Sequence, residues 1–426
     1  MNRLLPAVAL TVVVMLAAAC GASPTSLSDD GDPVTIFGPY RETEADRFME
    51  SIAEFTAETG IEVRYTSSSG FVEDLIERVE VARVPPDIAI IPQPGVVDRF
   101  VETGAAVPLG PDTLDELDAN YGDDVLAAFH DGEIRYTVPF RQTLKSVVWF
   151  RPDVFDEHGW RIPATLDDLE ALVGEIAEAG ELAPWCFSVE AGTATGWAAT
   201  DWVEDLVLRR SGPEIYTQWS AGTIPFADPD IEAAFDEFRA LVVDFGRTAG
   251  GVPSIVGTRV DRAWEPLLDE EPGCAMYKQA DFALGWMPEL SVGNDEELSW
   301  FVLPPAESAG LAPLVVGGDQ AIRFDDRPAV SDVMTFLAGA QTGAPWVADG
   351  GFISAKTSID ETQYPPVERR FVDVLRDAPT LVFDASDQMS ADVGSGLLWE
   401  AITNWIAGAL TYEEFAGIVD DARNAE

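Results

Sequence analysis

Hydrophobic and polar positions follow two rhythms along residues 34–101. Val34-Thr35-Ile36-Phe37 is a short β-type run. Phe48, Ile52 and Phe55 then recur at helical spacing until Gly60, and Thr43-x-x-Asp46 ahead of them has the form of a capping box. Ile61, Val63 and Tyr65 alternate as a strand, and Phe71, Leu75, Ile76 and Val79 share the next helical face. Ile88-Ala89-Ile90-Ile91 is an apolar, buried-type strand closed by Pro92, and Val96, Val97, Phe100 and Val101 open another helix. The order βαβαβα predicts the start of a doubly wound parallel sheet.

A second stretch repeats the style. Val147-Val148-Trp149-Phe150 reads as a strand. Thr165 leads a helix whose Leu169, Leu172, Val173 and Ile176 lie on one face, with Asp168 completing a cap. Residues 200–246 are mostly helical in pattern, the run from Val315 to Ile322 returns as a strand, and helices dominate from Val330 onward. No fixed-period repeat is evident, which argues against a solenoid.

The apolar run that opens the chain differs in kind. Residues 1–19 carry one Arg, a short apolar core and Ala17-Ala18-Ala19 before Cys20, the make-up of a secretory signal peptide. It is short for a membrane span, which needs about 20 apolar residues. Cys20 is placed as in a bacterial lipobox, although Ala17 stands where Leu is more usual; lipidation and plain secretion are the two outcomes. Residues 20–33, rich in Ser, Pro, Asp and Gly, form a tether with nothing to bury.

Composition narrows the class. The 426 residues hold 26 Lys plus Arg against 75 Asp plus Glu, a formal charge of −49. That balance excludes a phosphate-backbone binder and docking on anionic lipid through a basic face. A 47% hydrophobic content excludes a disordered chain, and the length suits about two or three domain-sized units. With Cys20 lipidated, Cys186 and Cys274 remain, 88 residues apart, either as a bridge or as two buried thiols.

Catalytic constellations are scarce. His130 and His158 sit in polar, turn-like contexts without metal-ligand spacing, as solvated side chains would. The stretch 350–357 has a first Gly and a Lys-Thr pair like a phosphate loop, but Ala355 replaces a required Gly. No cofactor is implied. Twelve Trp are the positive signal. Trp197 follows a Gly/Thr loop and precedes Asp201, Trp286 follows Gly285, Trp346 follows Pro345, and Trp399 follows Gly394-Ser395-Gly396. Such rings suit the C–H face of a sugar, although core or lobe-contact roles account for most Trp equally well.

The segments 85–95 with 104–109, 136–150, 184–208 and 384–389 together resemble the family-1 extracellular solute-binding proteins of ABC importers, in particular the carbohydrate and α-glucoside binders. The resemblance implies an α/β fold of two periplasmic-binding-protein-like lobes joined by chain crossings, with the ligand in the cleft between them. Residues 34–143 and 317–372 would form lobe 1, and 146–314 and 376–426 lobe 2. It also implies the Cys186–Cys274 pairing. Trp197 and Trp399 would lie against sugar rings. Hydroxyl partners would be Tyr40, Ser69, Gln93 and Arg141, with Asp201, Gln279 and Asp319 opposite or at the crossings, Asp319 alternatively shaping the hinge. The expected role is that of a monomeric, lipid-anchored receptor at the extracytoplasmic face, passing a small carbohydrate to permease subunits. The rivals are a secreted glycoside hydrolase and a receptor for a non-sugar solute.

Overall fold

The computed structural model describes residues 31–425 except Ser69, 130–133, Glu289, 294–295 and 308–311. The signal and lipidation expectations, including Cys20, and the placement of Ser69 and His130 lie outside the described residues.

Eleven strands are described: β1 Val34–Gly38, β2 Val63–Ser67, β3 Ile88–Ile91, β4 Val138–Leu144, β5 Val147–Phe150, β6 Ala183–Cys186, β7 Cys274–Lys278, β8 Ser299–Val302, β9 Leu314–Arg323, β10 Ile353–Ser354 and β11 Leu381–Phe383. They make two sheets. The first runs β10-β4-β9-β3-β1-β2, with β11 also paired to β9, and the second runs β6-β7-β5-β8. The β2-β1-β3 core is parallel, as the βαβαβα pattern predicts. Strand β9 pairs antiparallel with β3, and β4 pairs antiparallel with β9 in turn, so the sheet is mixed. The capping box at Thr43 is not made: the helix Thr43–Thr59 already includes Thr43, and Glu42 precedes it without a side-chain cap. The box at Thr165 and Asp168 is made in full.

Three chain segments pass between the sheets. Only Lys145 and Ser146 separate β4 from β5; the second passage runs from β8 to β9, and the third from β11 into the helices Ala385–Gln388 and Trp399–Ile406. The three lie side by side: Lys145 N–H donates to Val315 O (3.2 Å), Leu303 N–H to Ser146 O (2.8 Å) and Asp384 N–H to Val316 O (2.8 Å). On one side of these crossings a single apolar core is continuous, containing Ile36, Phe140 and Val316 of the first sheet together with Trp149, Tyr277 and Trp300 of the second. The helix Pro366–Asp377 spans it, its Phe371 packing against Trp300 and Trp149 (centroids 4.4 and 5.9 Å). Cys186 and Cys274 are bridged, with Cα atoms 5.5 Å apart, at the end of β6 and the start of β7. This is the two-lobed α/β architecture that the resemblance implies.

Candidate ligand cleft

A cleft of about 1300 Å³ opens between the two lobes. From the first lobe it takes the turns that follow β1 and β3, carrying Tyr40 and Gln93, together with Arg141 of β4 and Asp319 of β9. Strand ends in open α/β sheets present such crevices because the chain turns outward there. From the second lobe come the loop before Trp197, the start of the helix Trp197–Ser220, the segment after β7, and Asp384, Asp387 and Trp399.

The two tryptophans are the first residues of their helices, Trp197–Ser220 and Trp399–Ile406. Gly196 makes their neighbourhood possible. Its φ is 120°, and a Cβ there would stand 2.3 Å from Trp399 O. The Trp197 turn therefore sits directly on the Trp399 backbone. Trp197 is half-buried, with Lys145 Nζ 5.3 Å from its ring centroid and Phe282 at 6.1 Å.

On the lobe-one side, Tyr40 Oη donates to Asp319 Oδ2 (2.8 Å). Arg141 donates to Glu44 Oε1 (3.0 Å) and Gly351 O (3.0 Å). Burial works against the Arg141 charge, but Glu44, Asp319, Tyr40 and Asp281 outweigh it and raise its pKa. Burial likewise raises Asp319, against the pull of Arg141 and the Tyr40 hydrogen bond. On the floor, Lys145 Nζ lies between Asp201 Oδ1 (3.1 Å) and Asp384 Oδ2 (2.9 Å). Burial opposes the Lys145 charge, yet Asp201, Asp384 and Asp387 more than restore it. Asp387 is raised by burial and by the neighbouring Asp384 charge, with a hydrogen bond from Gln93 opposing. Trp399 Nε1, Gln93 Oε1 and Arg141 Nε, all on cleft-lining residues, have no partner among the described residues. Buried polar atoms normally have one, so these three are open to a ligand or water.

The structure brings Tyr40, Gln93, Arg141, Trp197, Asp201, Asp319 and Trp399 to one cleft. Gln279 does not line it. Its Oε1 accepts from Ala280 N–H (2.9 Å) and its carbonyl accepts from Trp149 Nε1 (2.9 Å), so it braces the second sheet from within. Several lining residues escape the sequence reading: Lys145, Asp384, Asp387, Glu44 and Phe282. For Asp384 and Asp387 the signal is local. Asp384 caps the short helix Ala385–Gln388 by accepting from Asp387 N–H, and an acidic pair three apart directly after an apolar strand marks such a start. Trp286 lines the cleft, whereas Trp346 is buried and stacked on Phe352 at 4.6 Å. His158 is stacked on Trp160 at 4.3 Å rather than simply solvated. The Gly350-Gly351 pair forms a turn held by Arg47 and Glu368, and Lys356 beyond it is buried. Among the described residues no helix is long and apolar enough to cross a membrane, and no group of His, Cys, Asp or Glu is set to hold a metal.

Comparison with known proteins agrees with this architecture. Residues 41–256 match the family model of the bacterial extracellular solute-binding proteins. The chain is 33% identical to the osmoprotective compounds-binding protein GgtB of Synechocystis sp., over 94% of each chain. It is also 33% identical to the alpha-glucosides-binding periplasmic protein AglE of Rhizobium meliloti, over 91% of this chain and 86% of that one. A structure from work on xylan utilization by Caldanaerobius polysaccharolyticus shares the fold, with a TM-score of 0.77 at 16% identity, covering 92% of this chain and 100% of that one. With a family match over half its length and relatives aligned nearly end to end, the chain belongs to the bacterial extracellular solute-binding proteins.

Proposed function

We propose that the cleft captures a neutral glycoside, of the α-glucoside type, and that the protein hands it to the membrane subunits of an ABC importer. The observation that carries this reading is the meeting of Trp197 and Trp399 with Asp201, Asp319, Asp384 and Asp387 in one cleft. Aromatic faces take the C–H surface of a sugar, and desolvated carboxylates accept its hydroxyls in charge-assisted bonds. The name of one relative, an alpha-glucosides-binding periplasmic protein, supports the same class. In this reading Tyr40, Ser69, Gln93 and Arg141 contribute from lobe 1 (34–143 and 317–372), and Trp197, Asp201 and Trp399 from lobe 2 (146–314 and 376–426). Asp319 joins them from the β9 crossing. Gln279 acts indirectly, by fixing the wall. Cys20 carries the lipid that holds a monomeric receptor at the extracytoplasmic face.

The protein is a receptor and not a hydrolase in this reading. A retaining glycosidase holds its carboxyl pair about 5 Å apart across the scissile bond and an inverting one wider still, whereas Asp201 and Asp384 contact each other and share Lys145. A thermal-shift panel of trehalose, sucrose and maltose tests both points. Stabilisation of about 2.7 kcal/mol is expected at 100-fold the Kd, with no free glucose released. Catalytic release of glucose, or stabilisation by amino acids in place of sugars, would overturn the reading.

A further inference from the structure

The helix Trp197–Ser220 buries four charged residues, Asp201, Glu204, Asp205 and Arg209. Between them they hold all three interlobe crossings. Asp201 takes Lys145 Nζ, and Asp205 accepts from Ser146 Oγ (2.6 Å), both on the β4–β5 passage. Arg209 donates to Leu303 O (3.0 Å) and Pro304 O (3.1 Å), at the start of the passage from β8 to β9. Glu204 accepts from Ala385 N–H (2.8 Å) and Ser386 N–H (3.1 Å), just past β11. Ligand-facing Asp201 thus belongs to the same buried lattice as the hinge.

The charges of that lattice do not balance. The carboxyls of Asp201, Glu204, Asp205, Asp384 and Asp387 face the cations Lys145, Lys278 and Arg209, and all eight residues are buried. Asp205 has two of the cations to itself, Arg209 and Lys278. Lys145 is left to Asp201 and Asp384, which also hydrogen-bond each other. Two carboxyls that share a single ammonium favour a proton between them, since their mutual repulsion raises the pKa of one of the pair.

We propose that Asp201 and Asp384 hold one proton between them in the unliganded protein, and that a hydroxyl-bearing ligand expels it to solvent on binding. The second step rests on the reading of the cleft as a polyol site. A ligand O–H donated to Asp201 replaces the O–H that the pair shares, which favours two ionised carboxylates flanking Lys145. Every charged neighbour of Asp201 is placed. Lys145 comes from the crossing, Asp384 and Asp387 from beyond β11, and Glu204 and Asp205 from the same helix. Lys278, at the end of β7, donates to Asp201 O (3.2 Å). Arg141 and Asp319 stand on the lobe-one wall. The balance supports the assignment: burial, opposed by Lys145, leaves Asp201 pushed up to about 7, while Lys145 and the hydrogen bond from Asp201 overcome burial to hold Asp384 down at about 2.

Two measurements decide the matter. In the unliganded protein, carbon-13 labelled aspartate carboxyls should show a titration near neutral pH that vanishes in Asp201→Asn. No such titration overturns the shared proton. Calorimetry with trehalose, sucrose and maltose, each in two buffers of different ionisation enthalpy, then counts protons. Release of about half a proton at pH 7 and close to one at pH 6 is expected, with affinity about tenfold weaker at pH 6 than at pH 8. Whatever sugar binding Asp201→Asn retains should be free of proton exchange. Sugar binding whose heat is independent of buffer at both pH values overturns the expulsion step while leaving the sugar reading intact. Failure of all three sugars to bind overturns that reading and the expulsion step together, and the titration still decides the shared proton.

Discussion

Lys356 Nζ donates to Thr342 O at 3.1 Å and lies 6.0 and 5.4 Å from the ring centroids of Tyr121 and Phe140. Burial, with no carboxylate in ion-pair contact among the described residues, lowers its pKa to about 7. The unfolded chain, with an ordinary lysine, then binds more protons between pH 7 and about 10.5, so this residue makes stability rise with pH across that window. Lys356→Met should abolish that rise and increase Tm at pH 7; an unchanged Tm slope between pH 7 and 10 would refute the burial argument. Asp201 and Asp281 act with the opposite sign. Burial raises each to about 7 in the folded state, so their contribution is full below about pH 4 and is lost as pH rises through 7. Tm of the unliganded protein should therefore fall between pH 5 and 7, and Asp281→Asn should flatten part of that fall. Lys356 and Asp281 do not announce themselves in sequence as buried charges, because a buried charge breaks the polar-outside pattern that sequence reading relies on, whereas Asp201 enters through the family resemblance. Gln279 illustrates the converse. It lies two residues beyond Tyr277, so β alternation puts it on the core-facing side of the sheet, away from the cleft.

Strands β3 and β5 are legible in the sequence as uninterrupted apolar runs, and β1 and β9 through their apolar segments Ile36-Phe37 and Leu314-Val315-Val316, although Thr35 and Asp319-Gln320 interrupt them. Strand β4, Val-Pro-Phe-Arg-Gln-Thr-Leu, is equally buried but carries Arg141, Gln142 and Thr143, so its pattern gives no strand signal. Short β10 and β11 sit in a region whose periodicity is helical. The turn at Gly196 is the element on which the two tryptophans depend. Gly196→Ala would press a methyl onto the Trp399 carbonyl at a backbone angle that side chains avoid. Sugar affinity should drop at least tenfold, about 1.4 kcal/mol, with the fold retained by circular dichroism; an unaltered Kd would show that the turn adapts freely. The Cys186–Cys274 bridge closes an 88-residue separation, and in the chain-entropy model replacing both cysteines by Ala should cost about 4.6 kcal/mol of stability. Equal denaturant midpoints for the two proteins would contradict that cost.

Across the whole molecule, an apolar core runs from the first sheet to the second, and the cleft lies between the two lobes. Direct contacts also join the two lobes: Thr193 lies beside Gly70, and Arg99 pairs with Asp392 at 2.9 Å. With the Asp392 side chain 78% exposed, that pair is worth well under about 1 kcal/mol. Arg99→Ala should weaken ligand binding by less than about fivefold. The parallel start β1–β3 follows from sequence pattern, and the two lobes with their crossings follow from family resemblance; the mixed sheet order and the lattice around Lys145 follow from neither, because both are assembled from separated segments. The direct test of sugar capture is calorimetric titration of the wild-type protein and of Trp197→Ala and Trp399→Ala with trehalose, sucrose and maltose. One sugar per chain is expected, with each variant about 30-fold weaker, as for a central aromatic worth about 2 kcal/mol. Binding of equal strength in all three folded proteins, or no sugar binding in the wild type, would contradict the assignment of this cleft.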